Sequence, residues 1–291
     1  MQISLDRNMG VCFNGIRINK EVIMDNLNEN KTLLKVTRQD LTSPFQSDFK
    51  YEIGKKEVCK NFDKSNNVCA PGFYATEIDG LPYTFRHLRG DRVFDCAVGG
   101  ESREFDQYKR RYAEFELLPR EYSYDEIKQM ALEAEERLGY KLSEVLFPIN
   151  PLLLPSRNVT YADILLLKQW ASVWASVRAS VMDSVRDSVR ASVMDSVWDS
   201  VRDSVRASVM DSVWASVRDS VWASVRDSVW AYNGSFFPKI TIWKYVDNTD
   251  GVYPFQPCVD LRKSGLVPSF DGESWRLHSG KDAAVVWEGK L

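Results

Sequence analysis

The sequence predicts an α+β protein in three parts: a small N-terminal α+β domain, a central tandem-repeat rod and a small β-rich C-terminal cap. Three observations predict it. Residues 170–229 are 15 copies of a four-residue unit: Trp, Arg or Met, then Ala or Asp, then Ser, then Val. The residues before the array alternate short apolar runs with Gly, Asn and Asp breaks, and those after it are rich in aromatics and β-formers. The boundaries follow as 1–121 for the α+β domain, 122–159 for a helix and proline-rich connector, 160–234 for a helix start plus array, and 235–291 for the cap.

In the first part, strands are expected at Thr32–Val36, Arg92–Val98 and Arg111–Leu118. Alternation in the last places Ala113, Phe115 and Leu117 on the core face, and Tyr112, Glu114, Glu116 and Leu118 on the other. Ser123-Tyr-Asp-Glu126 forms a capping box, and Ile127, Met130, Ala131, Ala134 and Leu138 follow helical spacing up to a stop at Gly139. Pro148, Pro151 and Pro155 then exclude a long regular element and predict an ordered strap. Thr160 is the expected N-cap of a second helix, with Asp163 in its favourable first turn, and Asn233-Gly234 is the next clear stop. In the cap, strands are expected near Ile240–Tyr245, Ser274–His278 and Ala283–Trp287, with turns at Asp271-Gly272 and Ser279-Gly280.

The array is the unusual part. Four residues turn an α-helix through about 400°, so each repeat drifts by roughly 40° and the Val stripe spirals. The array nevertheless continues an ordinary helix start without Gly or Pro, and Asp precedes Arg by three residues at Asp183/Arg186, Asp187/Arg190, Asp199/Arg202 and Asp203/Arg206. A β-solenoid with inward Val is the alternative, since Val is a strand former and Asp-Ser suits corners. The balance favours a long helix of 60 residues, about 90 Å. Trp174, Trp198, Trp214 and Trp222, with Arg186 and Arg202, then read as a partner-binding surface, because a solitary rod cannot bury them.

Composition removes several function classes. Net charge is −3, from 38 basic and 41 acidic residues, and no apolar run reaches the ~18 residues of a membrane span. The array itself, with seven Arg against eight Asp, stands at −1, which argues against a nucleic-acid stripe. The start, MQISL followed by Asp6 and Arg7, has no signal-peptide pattern, so a cytoplasmic protein is expected. Five irregularly spaced cysteines (Cys12, Cys59, Cys69, Cys96, Cys258) and two histidines (His87, His278) give no zinc pattern; no metal is expected.

One motif in the N-terminal part bears on chemistry. Cys69-Ala-Pro-Gly-Phe-Tyr-Ala-Thr76 precedes Tyr83-Thr-Phe and Gly90-Asp-Arg-Val-Phe-Asp95. This order resembles the central segment of ADP-ribosyltransferase-like folds over about 50 residues. The resemblance implies NAD as cofactor, Tyr74 at its nicotinamide end, and Glu114 and Glu116 as a catalytic Glu-x-Glu that stabilises an oxocarbenium-like centre. Arg17 is the candidate for the early-strand motif. The plainer reading is a non-catalytic domain with a tight Pro71-Gly72 turn, solvent-facing glutamates and no cofactor. No GxSxG, Walker A or GxGxxG occurs.

The tetrapeptide run WASVRDSVWASVRDSV, with Tyr253-Pro-Phe-Gln-Pro257, Gly265-Leu-Val-Pro-Ser-Phe-Asp-Gly272 and Trp275-Arg-Leu-His278, resembles a group of uncharacterised bacterial and phage proteins of variable repeat number. The Cys69…Gly72-Phe-Tyr segment is similar to a small domain of phage-type proteins in which Gly-Phe-His often stands; Tyr74 replaces that His. These resemblances imply an architecture rather than an activity. The sequence therefore favours a non-enzymatic scaffold or interaction protein that self-associates or binds a protein partner through its array, with an NAD-dependent transferase in residues 1–121 as the alternative.

Overall fold

The computed structural model describes residues 32–44, 49–65, 67, 70–85, 90–106, 109–177, 181–192, 222–244, 246 and 252–291. Residues 1–32 and 33–291 form separate compact units, and all described residues except Thr32 belong to the second.

Five strands, β1 (Leu34–Thr37), β2 (Lys56–Val58), β3 (Phe73–Ala75), β4 (Arg92–Asp106) and β5 (Lys109–Tyr122), build an antiparallel sheet in the order β1-β4-β5-β2, with β3 also on β5. Leu34 and Thr76 exchange backbone hydrogen bonds of 2.7 and 3.1 Å, so the sheet curls until β1 stands beside the end of β3. Register shifts between Phe94/Cys96, Gly99/Ser102 and Glu104/Asp106 bend the long β4–β5 hairpin. Gly100, at φ 68°, lies where an added Cβ would meet Glu114 and Ala113 at 3.1–3.2 Å. Tyr51, Phe73 and Phe115 fill the concave side, the last two stacked at 5.5 Å. Phe115 and Leu117 point inward as their alternation predicts, but Tyr112, paired with Phe73 of β3, is buried as well, as is its neighbour Arg111.

The first helix, α1 (Tyr124–Leu138), starts at the expected capping box: Ser123 and Glu126 satisfy each other's backbone N–H. It stops at Gly139 in the left-handed conformation. A short α2 (Leu142–Leu146) and a 3-10 turn at Pro151–Leu153, capped by Asn150, form the strap. Next, α3 (Tyr161–Val177) opens where Thr160 and Asp163 bond reciprocally, with Arg157 clamping both Asp163 carboxylate oxygens at 2.6 and 2.9 Å. Burial opposes ionisation of Asp163, but these bonds outweigh it and hold its pKa at about 2.

The array diverges from expectation. Its described parts lie in α3, α4 (Val181–Ser192) and α5 (Trp222–Gly234), and the longest helix among the described residues, α3, has 17 residues. A repeat rod is therefore wrong for these parts, as is a β-solenoid. Val177, Val181, Val185, Val189, Val225 and Val229 are all buried, in the same core as Leu34, Ile127, Leu142 and Leu277. Within one described stretch the drift is small: three successive valines cover only about 80° of arc, which one packing face accommodates. The central units, residues 193–221, lie outside the described residues.

Beyond α5, residues 240–244 are irregular, where a strand was expected. The helix α6 (Gln256–Lys263) leads to an antiparallel β6 (Val267–Phe270), β7 (Trp275–Ser279) and β8 (Ala284–Gly289), the β-rich cap read from the sequence. Gly272 and Gly280, at φ 104° and 72°, make the two hairpin turns. No helix among the described residues is long and apolar enough to cross a membrane.

Because array valines are core residues, Val189→Ala and Val229→Ala are each expected to lower the unfolding free energy by about 1.5–3 kcal/mol. Urea titration of each variant measures this, and unchanged midpoints for both would place these valines outside the core.

Candidate functional site: the folded ends of the repeat array

The second repeat meets the last one. The Trp174 indole N–H donates to Asp227 Oδ2 at 2.8 Å, and its ring stands edge-on to Phe270 and Trp275 at 5.6 and 5.5 Å. Asp227 is 2% exposed, and its Oδ1 has no hydrogen-bond partner among the described residues. Arg226, with Nε 4.0 Å from Oδ1, is at the limit of an ion pair. Burial pushes the Asp227 carboxyl up to about 6, against the pull of Trp174 and Arg226. Next to it, Ser228 donates to the Val225 carbonyl at 2.7 Å and accepts from Arg262 Nη1 at 3.1 Å. Arg262 is enclosed, 5.4 Å from the Tyr232 ring, with Nε and Nη2 unpartnered among the described residues; burial lowers its pKa. Burial likewise raises the Cys258 thiol to about 12, so it is no nucleophile at neutral pH.

Three of the invariant serines share a task. On α4, Ser184 Oγ donates to the Lys244 carbonyl, and the Lys244 N–H donates to Ser188 Oγ at 2.8 Å, while Lys244 Nζ reaches Asp187 at 2.7 Å. On α5, Ser224 accepts from the Phe270 N–H at 2.9 Å and donates to the Phe270 carbonyl at 3.4 Å. Array hydroxyls thus hold both backbone groups of one residue in each of two non-helical segments. The Lys244 amide and carbonyl, near the end of the expected Ile240–Tyr245 strand, are thus bonded to serines and not to a neighbouring strand.

In the cap, Ser269 Oγ and His278 Nε2 are 2.7 Å apart, and His278 Nδ1 is 2.9 Å from the Ala283 carbonyl. The carbonyl can only accept, so Nδ1 carries the proton, and Ser269 donates to Nε2. That is nucleophile-and-base geometry, but Ser269 is 0% exposed, so the pair acts as a buried lock between β6 and β7.

The residues singled out from the sequence are placed as follows. Tyr74, half-buried on β3, donates its hydroxyl to the Ala70 carbonyl at 2.9 Å and accepts from Arg111 at 3.3 Å. Arg111 is itself enclosed and holds the carbonyls of Asp63, Ser65 and Asn67. Glu114 is exposed and Glu116 half-buried, both on β5 opposite β2. Trp174 is tied up inside the chain, and Arg186 bridges Asp183 at 2.8 Å and Asp187 at 3.3 Å. Arg17, Cys12, Cys69, His87, Trp198, Arg202 and Trp214 lie outside the described residues, as does the side chain of Trp222. Among the described residues no His/Cys/Asp/Glu group could hold a metal, and Cys59, Cys96 and Cys258 are free thiols. Sequence reasoning missed Asp227, Arg262 and the Ser269–His278 pair; the invariance of Ser was the one signal for Ser184, Ser188 and Ser224. Compared with protein-family models, curated proteins and solved structures, the chain gives no match.

Two pH effects of opposite sign follow. The raised Asp227 pKa favours its neutral form, so its contribution to stability is present below the unfolded value of 3.8 and is lost as pH rises through about 6. Asp227→Asn is expected to remove this loss, stabilising the fold at pH 7 relative to pH 4 by on the order of 2 kcal/mol compared with wild type. His278 has a lowered pKa because it is buried, so its contribution is present above 6.5 and lost as pH falls through the folded value. Ser269→Ala leaves Nε2 without its donor, at an expected cost of about 1–3 kcal/mol at pH 7. Thermal unfolding from pH 4 to 8 reads both; parallel curves for Asp227→Asn and wild type would sink the first.

Proposed function

We propose that this is a scaffold or interaction protein, not an enzyme, whose repeat array is a platform for polypeptide main chain. The carrying observation is that Ser184, Ser188 and Ser224 hold the backbone amides and carbonyls of Lys244 and Phe270. These contacts use no side-chain identity in the segment held, so the same Ser-Val unit suits any extended stretch that presents its N–H and C=O. Asp227, Arg262 and Cys258, whose ionisation is perturbed by burial, are enclosed within the fold. The Tyr74 hydroxyl, which the transferase alternative would turn towards nicotinamide, is bonded to Ala70 and Arg111.

An immobilised array of random unstructured dodecapeptides, probed with the full chain, tests this. Retention of a subset with shared apolar spacing is the expected outcome. Retention of none, together with turnover of NAD in a nicotinamide-release assay, would replace the reading with the transferase.

A further inference from the structure

Arg262 on α6 is a buried charge without a counter-charge among the described residues. It is 1% exposed. Its Nη1 donates to Ser228 Oγ at 3.1 Å, while Nε and Nη2 have no acceptor there. The ionisable groups facing the guanidinium are the Cys258 thiol and the Tyr232 phenol. Burial pushes both to about 12, so both are uncharged at neutral pH. The neighbouring carboxylates are engaged elsewhere. Asp227 is bonded to Trp174, and Asp260 accepts from Gln256 at 2.7 Å. Glu144, which faces Tyr232, is paired with Lys141 and Lys263.

The two remaining nitrogens act as a pair. Nε–H and one Nη2–H point in parallel along the same edge of a guanidinium, the edge with which arginine grips one acceptor by two bonds. Ser228 takes Nη1, on the other side, so that edge is presented whole. A water on it would satisfy the two N–H groups and leave the buried charge uncompensated; an anion answers both needs. Enclosure sets the size: Arg262, Ser228, Tyr232 and Cys258 are each exposed by no more than 1%. We propose that the Nε/Nη2 edge of Arg262 holds a buried anion of halide size as a structural ligand of the α5–α6 contact. Its place gives it leverage. Ser228 belongs to the last repeat, and the Tyr232 hydroxyl accepts from the Ile149 N–H at 3.0 Å, so the anion ties the end of the array to α6 beside the proline strap.

Thermal unfolding of the full chain at pH 7 and fixed ionic strength tests this, with sodium gluconate replaced stepwise by sodium bromide. A saturable rise in melting temperature is expected, about 5 °C at roughly a hundredfold excess over the dissociation constant. Arg262→Met keeps the stem and drops the charge, and is expected to melt at the same temperature in both salts. Arg262→Lys keeps the charge without the fork, and is expected to need about tenfold more bromide. Arg276→Gln, on β7 of the cap, is expected to respond as wild type does. A wild-type melting temperature indifferent to bromide, as a water on the edge would give, overturns the proposal. So does an equal rise in Arg262→Met, which would be a general salt effect. Should neither Arg262 variant fold, wild-type crystals grown in bromide decide: an anomalous peak within hydrogen-bond distance of Nε and Nη2 is expected, and peaks at surface arginines only, or none, overturn it.

Discussion

A side chain repeated every four positions moves about 40° around an α-helix per repeat, and the rest of this fold is arranged around that drift. A continuous array helix would carry its valines out of any packing face within a few repeats. Within each described stretch the drift stays small enough for one face. Val181, Val185 and Val189 on the 12-residue α4 are all fully buried, and Val225 and Val229 on α5 meet the same core. Fully burying one valine stabilises by about 1.5–3 kcal/mol, so five such residues outweigh the poor helix propensity of Val, Ser and Asp.

Packing valines this tightly brings the neighbouring Ser and Asp into the interior, where each polar atom needs a partner. Three of the serines meet this need by reaching main chain, and in doing so they hold Lys244 and seat the edge of the cap at Phe270. Asp227 is the incomplete case. Its indole partner satisfies one oxygen, the other has only Arg226 Nε at 4.0 Å, and burial shifts the carboxyl towards neutrality. Arg262 cannot neutralise in the same way and keeps its charge under Tyr232, so the α5–α6 contact holds a buried cation with a single hydroxyl contact.

Local signals were legible because the physics behind them is local. The Ser123/Glu126 and Thr160/Asp163 boxes, the Gly139 stop and the two hairpin turns of the cap all involve groups within a few residues of each other. What failed depended on distant partners. The segment expected as a strand at Ile240–Tyr245 instead has its Lys244 N–H on a serine 56 residues away, and Trp174, expected to be displayed, meets a carboxylate 53 residues on. Tyr112 is buried beside Phe73 of β3, a strand about 40 residues earlier in the chain, which periodicity within β5 could not reveal. For the candidate site, the types of residue that matter were visible as invariant Ser, but not which copies are occupied.

Near-identical units raise a register problem, and the variable positions resolve it. Sliding the array by one unit keeps every Ser and Val in an equivalent place, so these residues cannot define where a helix sits. The flanks of Asp227 four residues either way are Ala223 and Ala231, and those of Trp174 are Trp170 and Arg178. Only one alignment gives the indole both its carboxylate and its aromatic neighbours Phe270 and Trp275, while placing Trp170 edge-on to Phe255 at 6.3 Å. A slip of α3 towards Arg178 would put a guanidinium among those rings, and a slip of α5 would leave the indole N–H facing alanine. The conserved half of the unit therefore supplies cohesion and the varied half supplies address, which is how a repetitive sequence specifies one packing.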